Sequence, residues 1–454
     1  MPNDIATRDQ ARLLGELKEF LRIPSISTLP DHAADCRRAA DWVMDHLRRL
    51  GCPVVELLEG KGHPTIWAEG PKVPGAPTVL LYGHYDVQPA EPLEEWVTGA
   101  FEPTVRDGNL YARGAVDDKG QVFTLLKAYE SVLDADRRPP LNVHFIIEGE
   151  EECGGRVIFD RLKAEPWRTK ADAVVVADMG YYAPGVPAVY TALRGLAYAE
   201  IQVRTAESDL HSGEYGGVAP NAIETTVRIL AALKDASGRI KVPGIYEAVR
   251  RPSRSELAGW KKLPFDRRTY LKKQVTARAL TGLQKYSIHE RLWALPTLEI
   301  HGIRGGFVGE GAKTVIPCQA VAKVSLRLVP GHSSAKVYRQ LALAVKRVTP
   351  KWADVKVVPL HSGEPVQVEV DAPAFAVLDR AFQEVVGRPT VAVRAGGSIP
   401  VVTALAQGGA PVLLTGIGLP DDRLHAPNEK VTLSQVWDGI RVFGRFFEMM
   451  AGRR

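Results

Sequence analysis

Several protein classes are excluded by what this 454-residue chain lacks. It has four cysteines, Cys36, Cys52, Cys153 and Cys318, and no two of them stand in the CxxC spacing of a zinc knuckle or redox pair. Thiols so few and so scattered suit a reducing cytoplasm and do not make a disulfide scaffold. Nowhere do roughly 18 uncharged apolar residues run together, so no membrane-spanning helix is expected. Residues 1–10 carry acidic groups and no apolar core, so no export signal is expected either. Lysine plus arginine (58) exceed aspartate plus glutamate (53) by five, and the densest basic stretch, 250–273, alternates with acidic and apolar residues. That is no nucleic-acid arm, and the surplus reads as solubility. There is no internal repeat and no low-complexity segment.

What is present is an ordinary globular composition, 45% hydrophobic and 24% charged, in a chain longer than one hydrophobic core usually holds. Two domains are therefore expected. The first region alternates helices (11–22, 33–50, 121–134) with apolar strands (54–58, 65–68, 79–82, 142–147, 173–177), which predicts an α/β sheet. Between 195 and 365 the texture changes. Strands at 196–203, 320–328 and 355–358, with helices at 221–234 and 335–346, predict a separate α+β domain with an antiparallel sheet. From about 366 the first texture returns. The predicted architecture is thus a discontinuous α/β domain, 1–194 and 366–454, with a mixed sheet flanked by helices, into which a smaller α+β domain, 195–365, is inserted.

Three strands of the first region end in a chemically active side chain. The run at 79–82 stops at His84 and Asp86, 142–147 runs into Glu148-Gly-Glu-Glu-Glu152, and 173–177 ends at Asp178. The C-terminal edge of an open α/β sheet is where such folds bind ligands. With Asp117 and His425, the candidates become two imidazoles and three carboxylates: His84, Asp117, Glu152, Asp178 and His425. That set suits a pair of borderline divalent ions with one carboxylate between them. Among Glu148, Glu150, Glu151 and Glu152 the residues alone do not say which serves as a base.

Seven segments extend the reading: Gly83-His-Tyr-Asp-Val-Gln-Pro89, Gly114-Ala-Val-Asp-Asp-Lys-Gly120, Glu148-Gly-Glu-Glu-Glu152, Asp209-Leu-His-Ser-Gly-Glu-Tyr-Gly-Gly217, Gly311-Ala-Lys-Thr-Val-Ile-Pro317, Gly396-Gly-Ser-Ile-Pro400 and His425-Ala-Pro-Asn-Glu429. In kind and order the chain resembles the M20 metallopeptidases, and most closely their cytosolic nonspecific dipeptidase and carnosinase-like branch. The resemblance implies a metal-dependent dipeptidase, a cytoplasmic homodimer taking small peptides, with a water bridging two divalent ions, zinc by default and manganese or cobalt as alternatives.

It also implies roles. Asp117 bridges the ions and precedes a cis peptide bond to Asp118. Asp178 completes the His84 site and Glu152 the His425 site, while Asp86 fixes the His84 tautomer through its other ring nitrogen. Glu151 becomes the general base, and His211 the oxyanion donor supplied across a dimer interface by the inserted lid and dimerisation domain. Arg327 grips the terminal carboxylate, assisted by Ser398 and Thr314. By residue type alone, Ser398 equally suits an N-cap for the helix led by Pro400, and Thr314 a plain loop hydroxyl. Cys153, Gly155 and Ala395 depart from the usual family residues beside the site. Asp178, where deacetylase and carboxypeptidase members usually have glutamate, resembles the dipeptidase members. The alternatives are an N-acyl-amino-acid amidohydrolase or carboxypeptidase of the same family, and a non-catalytic binding protein on the same fold.

Overall fold

The computed structural model describes residues 4–134 and 136–452; positions 1–3, 135 and 453–454, which the predicted outer domain includes, lie outside the described residues. Two compact units emerge. The first comprises the described residues up to Thr191, Val368–Val393 and those from Ile399 on, and the second Ala192–Gln367 with Arg394–Ser398.

In chain order the main strands are β1 (Val54–Leu58), β2 (Thr65–Glu69), β3 (Thr78–His84), β4 (Asn142–Glu148), β5 (Ala173–Ala177), β6 (Ala188–Tyr190), β7 (Gly195–Arg204), β8 (Thr297–Gly305), β9 (Gln319–Leu328), β10 (Asp354–Gly363), β11 (Val391–Val393) and β12 (Val412–Thr415). The first unit carries an eight-stranded sheet in the order β1-β2-β4-β3-β5-β12-β6-β11. It is mixed: β2 is antiparallel to β1 and β4, and β12 to β6, while β4, β3, β5 and β12 run parallel. Val79, Leu80, Leu81 and Tyr82 of β3 and all of β5 are buried, as continuous β-branched and apolar runs require of central parallel strands. Each valine or leucine among them contributes on the order of 1.5–3 kcal/mol of burial.

Three parallel neighbours, β4, β3 and β5, bring their C-terminal ends to one edge, with His84 directly beside Glu148. The helix that follows the Asp117 turn, Lys119–Ser131, is predicted to be one-sided but is buried on every face from Lys119 to Tyr129. The reason is its place between β3 and the helix Leu433–Met450. It starts tightly: a Cβ on Gly120 would lie 1.9 Å from the Ala115 carbonyl oxygen, so only glycine lets the turn fold back there.

The second unit is built on an antiparallel sheet, β8-β9-β7-β10, with one more strand than the sequence predicts. β7 and β9 pair without a break from Gly195↔Leu328 to Arg204↔Gln319. Ala197, Ala199, Ile201 and Val203 point to one face, where they meet Ile229 and Leu230 of the helix Ala222–Ala232 and Val337 and Leu341 of Ser334–Val348. The turn Arg394–Ser398 is held within this unit by buried Arg394, whose Nε and Nη2 donate to Glu256 Oε1 at 3.0 and 2.6 Å, and by the Gly397 carbonyl, which accepts Arg194 N–H. No described helix is long and apolar enough to cross a membrane.

Candidate metal centre

Five side chains predicted as ligands lie in the first unit, at the C-terminal edge of its parallel strands. His84 closes β3, Asp178 follows β5, Glu152 sits in the short turn after β4, and Asp117 and His425 come from two loops. The Asp117 carboxylate is divided between the two imidazoles. Its Oδ1 is 3.2 Å from His84 Nε2 and its Oδ2 is 2.9 Å from His425 Nε2. Asp178 Oδ1 stands 3.8 Å from His84 Nε2, and Glu152 Oε1 3.4 Å from His425 Nε2. Two donor groups result, His84 with Asp118 and Asp178, and Asp117 with Glu152 and His425, each with ligand atoms within 4.8 Å of one another. The Asp117–Asp118 peptide is cis, as the resemblance implies.

Three buried atoms of this cluster, His84 Nε2, Asp118 Oδ1 and Glu152 Oε1, have no hydrogen-bond partner. Buried polar atoms are almost always paired, so convergent atoms without partners mark a place for a bound group. His84 Nδ1 donates to the Asp86 carbonyl at 3.1 Å, so Nε2 is the ring nitrogen that faces the carboxylates. Imidazole and carboxylate donors fit zinc, manganese or cobalt.

The electrostatics call for the same thing. Burial among other carboxylates pushes Glu148 up to about 8 and Asp178 up to about 6, and raises Asp118 and Glu151 well above the carboxylate range. The hydrogen bond to Asp117 and the nearby Glu152 carboxylate push His425 up to about 10, while the two imidazoles hold Asp117 below its usual value despite its burial. A concentration of negative charge this deep is stabilised by bound cations.

Asp86 does more than the sequence predicts. Its Oδ1 lies 3.3 Å from His84 Nδ1, and its carboxylate also accepts the main-chain N–H groups of Glu151 (3.2 Å) and Glu152 (3.1 Å) and the Ser27 hydroxyl (2.6 Å). One carboxylate thereby orients both the His84 ring and the glutamate pair. The four glutamates also separate. Tyr82 Oη donates to Glu148 Oε1 at 2.5 Å, Glu150 Oε2 accepts Val157 N–H at 2.8 Å at the start of the helix Arg156–Ala164, and Gln88 holds Glu152 Oε2 at 2.7 Å. Among the described residues the Glu151 carboxylate receives no hydrogen bond.

A model of peptidase family M20/M25/M40 matches residues 80–449. The chain belongs to that family. The Beta-Ala-His dipeptidase of Homo sapiens is 32% identical over 460 residues, covering 97% of this M20 peptidase and 90% of the human protein. Among solved structures, the dipeptidase Dug1p of Saccharomyces cerevisiae superposes with a TM-score of 0.86 at 25% identity, covering 98% of this chain and 97% of that one. An M20 metallo-carboxypeptidase from Sulfolobus solfataricus gives 0.85 at 28% identity, covering 97% and 99%. The mixed α/β architecture with a separate antiparallel sheet is thus the fold of M20 dipeptidases, and family membership together with the two donor groups makes this a divalent-metal hydrolase.

The remaining candidates lie in the second unit. His211 and Thr314 come together at a two-residue strand pair, Leu210–His211 with Val315–Ile316: His211 is opposite Val315, and Ser212 N–H donates to the carbonyl of Thr314, just before the second strand. His211 Nδ1 accepts Gly213 N–H at 3.0 Å, which puts the ring proton on Nε2. Arg327, on β9, is half-buried, and its guanidinium has no hydrogen bond or ion pair among the described residues. Buried Arg194 stands near enough that the two guanidinium charges repel; burial first, and Arg327 second, push Arg194 down to about 10. Ser398 is not the N-cap the alternative reading allows. The helix there is Val402–Leu405, capped by Val401 without a side-chain bond, because the chain still turns through Pro400.

Proposed function

We propose that this M20 peptidase is a dipeptidase that holds two divalent ions, zinc by default and manganese or cobalt as alternatives, one by His84, Asp117 and Asp178 and one by Asp117, Glu152 and His425. The observation that carries this reading is the Asp117 carboxylate with one oxygen toward each imidazole. Ions held there would lower the pKa of a water and polarise the scissile carbonyl. Glu151, the glutamate left without a hydrogen bond, takes the proton of that water and passes it to the leaving amine. Asp86 keeps the His84 tautomer and both glutamates in place.

His211, supplied by a second copy, donates from Nε2 to the developing oxyanion. Its Nδ1 bond to Gly213 supports that protonation. Arg327, half-buried without a counter-ion, binds the terminal carboxylate of the substrate, with Ser398 and Thr314 adding hydroxyl contacts. The inserted domain, 195–365, serves as lid and dimerisation domain of a homodimer. Four unpaired thiols support a cytoplasmic setting.

Dipeptides, tripeptides and N-acetyl amino acids compared side by side test the substrate class. Dipeptides, β-alanyl-histidine among them in view of the human relative, are expected to be cleaved fastest, and a chelator is expected to stop the reaction. Turnover of acetylated amino acids alone would assign a deacetylase instead. Release of C-terminal residues from longer peptides would favour the carboxypeptidase reading, which the Sulfolobus relative keeps open. Mixing Glu151→Gln with His211→Ala subunits is expected to restore activity absent from either variant by itself. If no ratio of the two recovers any, each chain uses its own histidine or none.

A further inference from the structure

The motif His425-Ala-Pro-Asn-Glu429 ends in a glutamate to which the reaction above gives no part. Glu429 is fully buried, and its side chain is saturated with donors. Oε1 accepts the N–H groups of Val116 (3.0 Å) and Asp117 (3.1 Å), and Oε2 accepts Gly114 N–H (3.0 Å) and Arg113 Nη1 (2.7 Å). Arg113, itself buried, also donates to the Pro89 carbonyl at 3.0 Å. The backbone sets this up. Lys430–Thr432 pairs antiparallel with Asn109–Tyr111, and the Glu429 carbonyl accepts Ala112 N–H. Glu429 is thereby brought against the 113–117 turn, and one carboxylate closes on three of its amides.

The loop on the other side is strained. Arg423, His425 and Asn428 all adopt left-handed φ values, 61°, 58° and 62°, which non-glycine residues keep only where the surroundings over-determine them. Three anchors do so. Asp422 holds Leu419 N–H and Lys430 Nζ, Asn428 bonds Val97 N–H and the Glu95 carbonyl, and Glu429 grips the Asp117 turn. Of these, Glu429 alone joins the His425 loop to Asp117 and the residues that lead into it.

We propose, on the strength of the metal-centre reading, that Glu429 is a positioning residue. It fixes the Asp117 turn and the His425 loop in the one arrangement that brings Asp117 Oδ2 to His425 Nε2. A glutamine has the same shape but offers one acceptor oxygen and two unwanted donors, so two of the four bonds are lost.

Binding of Mn²⁺ alone to the metal-free full chain, followed by calorimetry below the melting temperature, tests this. Glu429→Gln is expected to weaken Mn²⁺ binding by roughly 10- to 100-fold, the usual effect of removing a group that orients ligands. Binding within about threefold of the parent, even with a lower melting temperature, reduces Glu429 to a structural brace and overturns the proposal. If the variant does not fold, hydrogen exchange on the metal-free parent decides. Protection of the Gly114, Val116 and Asp117 amides before any ion is added supports the proposal, and free exchange until Mn²⁺ arrives overturns it. A parent that binds no divalent ion removes the metal-centre reading and this one with it, whereas equal binding by parent and variant removes this one alone.

Discussion

Replacing Glu151 by glutamine is expected to lower kcat by about 10²- to 10⁴-fold, the range a positioned general base contributes, while bound metal stays at the parent level. The glutamine keeps the length and planarity of the side chain and loses only the capacity to take a proton. Its three neighbours cannot substitute. Glu148 is bound to the Tyr82 hydroxyl, Glu150 starts a helix by accepting Val157 N–H, and Glu152 is shared between Gln88 and the vicinity of His425. Stability should not fall, because burial first, and then Asp178, Glu152 and Glu148, disfavour a charge on Glu151, and glutamine carries none. Steady-state kinetics with metal analysis of the same samples check the result. A kcat within about tenfold of the parent at unchanged metal content would move the proton transfer to another group.

The strands that build the centre were readable because each is a short apolar, β-branched run that stops at a charged residue. β8 was not. Apart from Leu298 it exposes most of its length as an edge strand, contains Gly302, and shifts register between Ile300 and Gly302, so no period-two burial pattern exists to be read. Two helices in the polar stretch before it, Arg254–Lys261 and Ile288–Trp293, did carry a signal. Ser253 with Glu256, and Ser287 with Glu290, form complete capping boxes, the Ser-x-x-Glu pattern that marks a helix start.

In the site, ligand types were legible and their supports were not. That Asp86 would hold the Glu151 and Glu152 amides depends on β3 lying beside β4 in the register that places His84 against Glu148. That Glu429 would reach Asp117 depends on pairing between segments 312 residues apart. The choice among four consecutive-motif glutamates likewise needed hydrogen-bond partners drawn from Tyr82, Gln88 and Val157, none of which a local pattern specifies.

Asp117→Ala is expected to lose both ions together and to lower kcat by about 10³-fold or more, since the several kcal/mol that metals contribute to charge stabilisation convert to at least that factor. Asp118 provides the control. It belongs to the same donor group as His84 and Asp178, so by proximity either aspartate could be the shared ligand. Their surroundings differ. Asp118 Oδ2 already accepts His84 N–H at 3.0 Å and its carboxyl is raised by burial, whereas Asp117 presents one oxygen to each imidazole and is held ionised by them. A carboxylate in the second situation can join two cations; one in the first has an oxygen committed to the strand end and only Oδ1 free. Asp118→Asn, which keeps an oxygen for the His84 amide, is therefore expected to retain both ions. Metal content measured on the two variants distinguishes them, and retention of both ions by Asp117→Ala with their loss from Asp118→Asn would reverse the assignment.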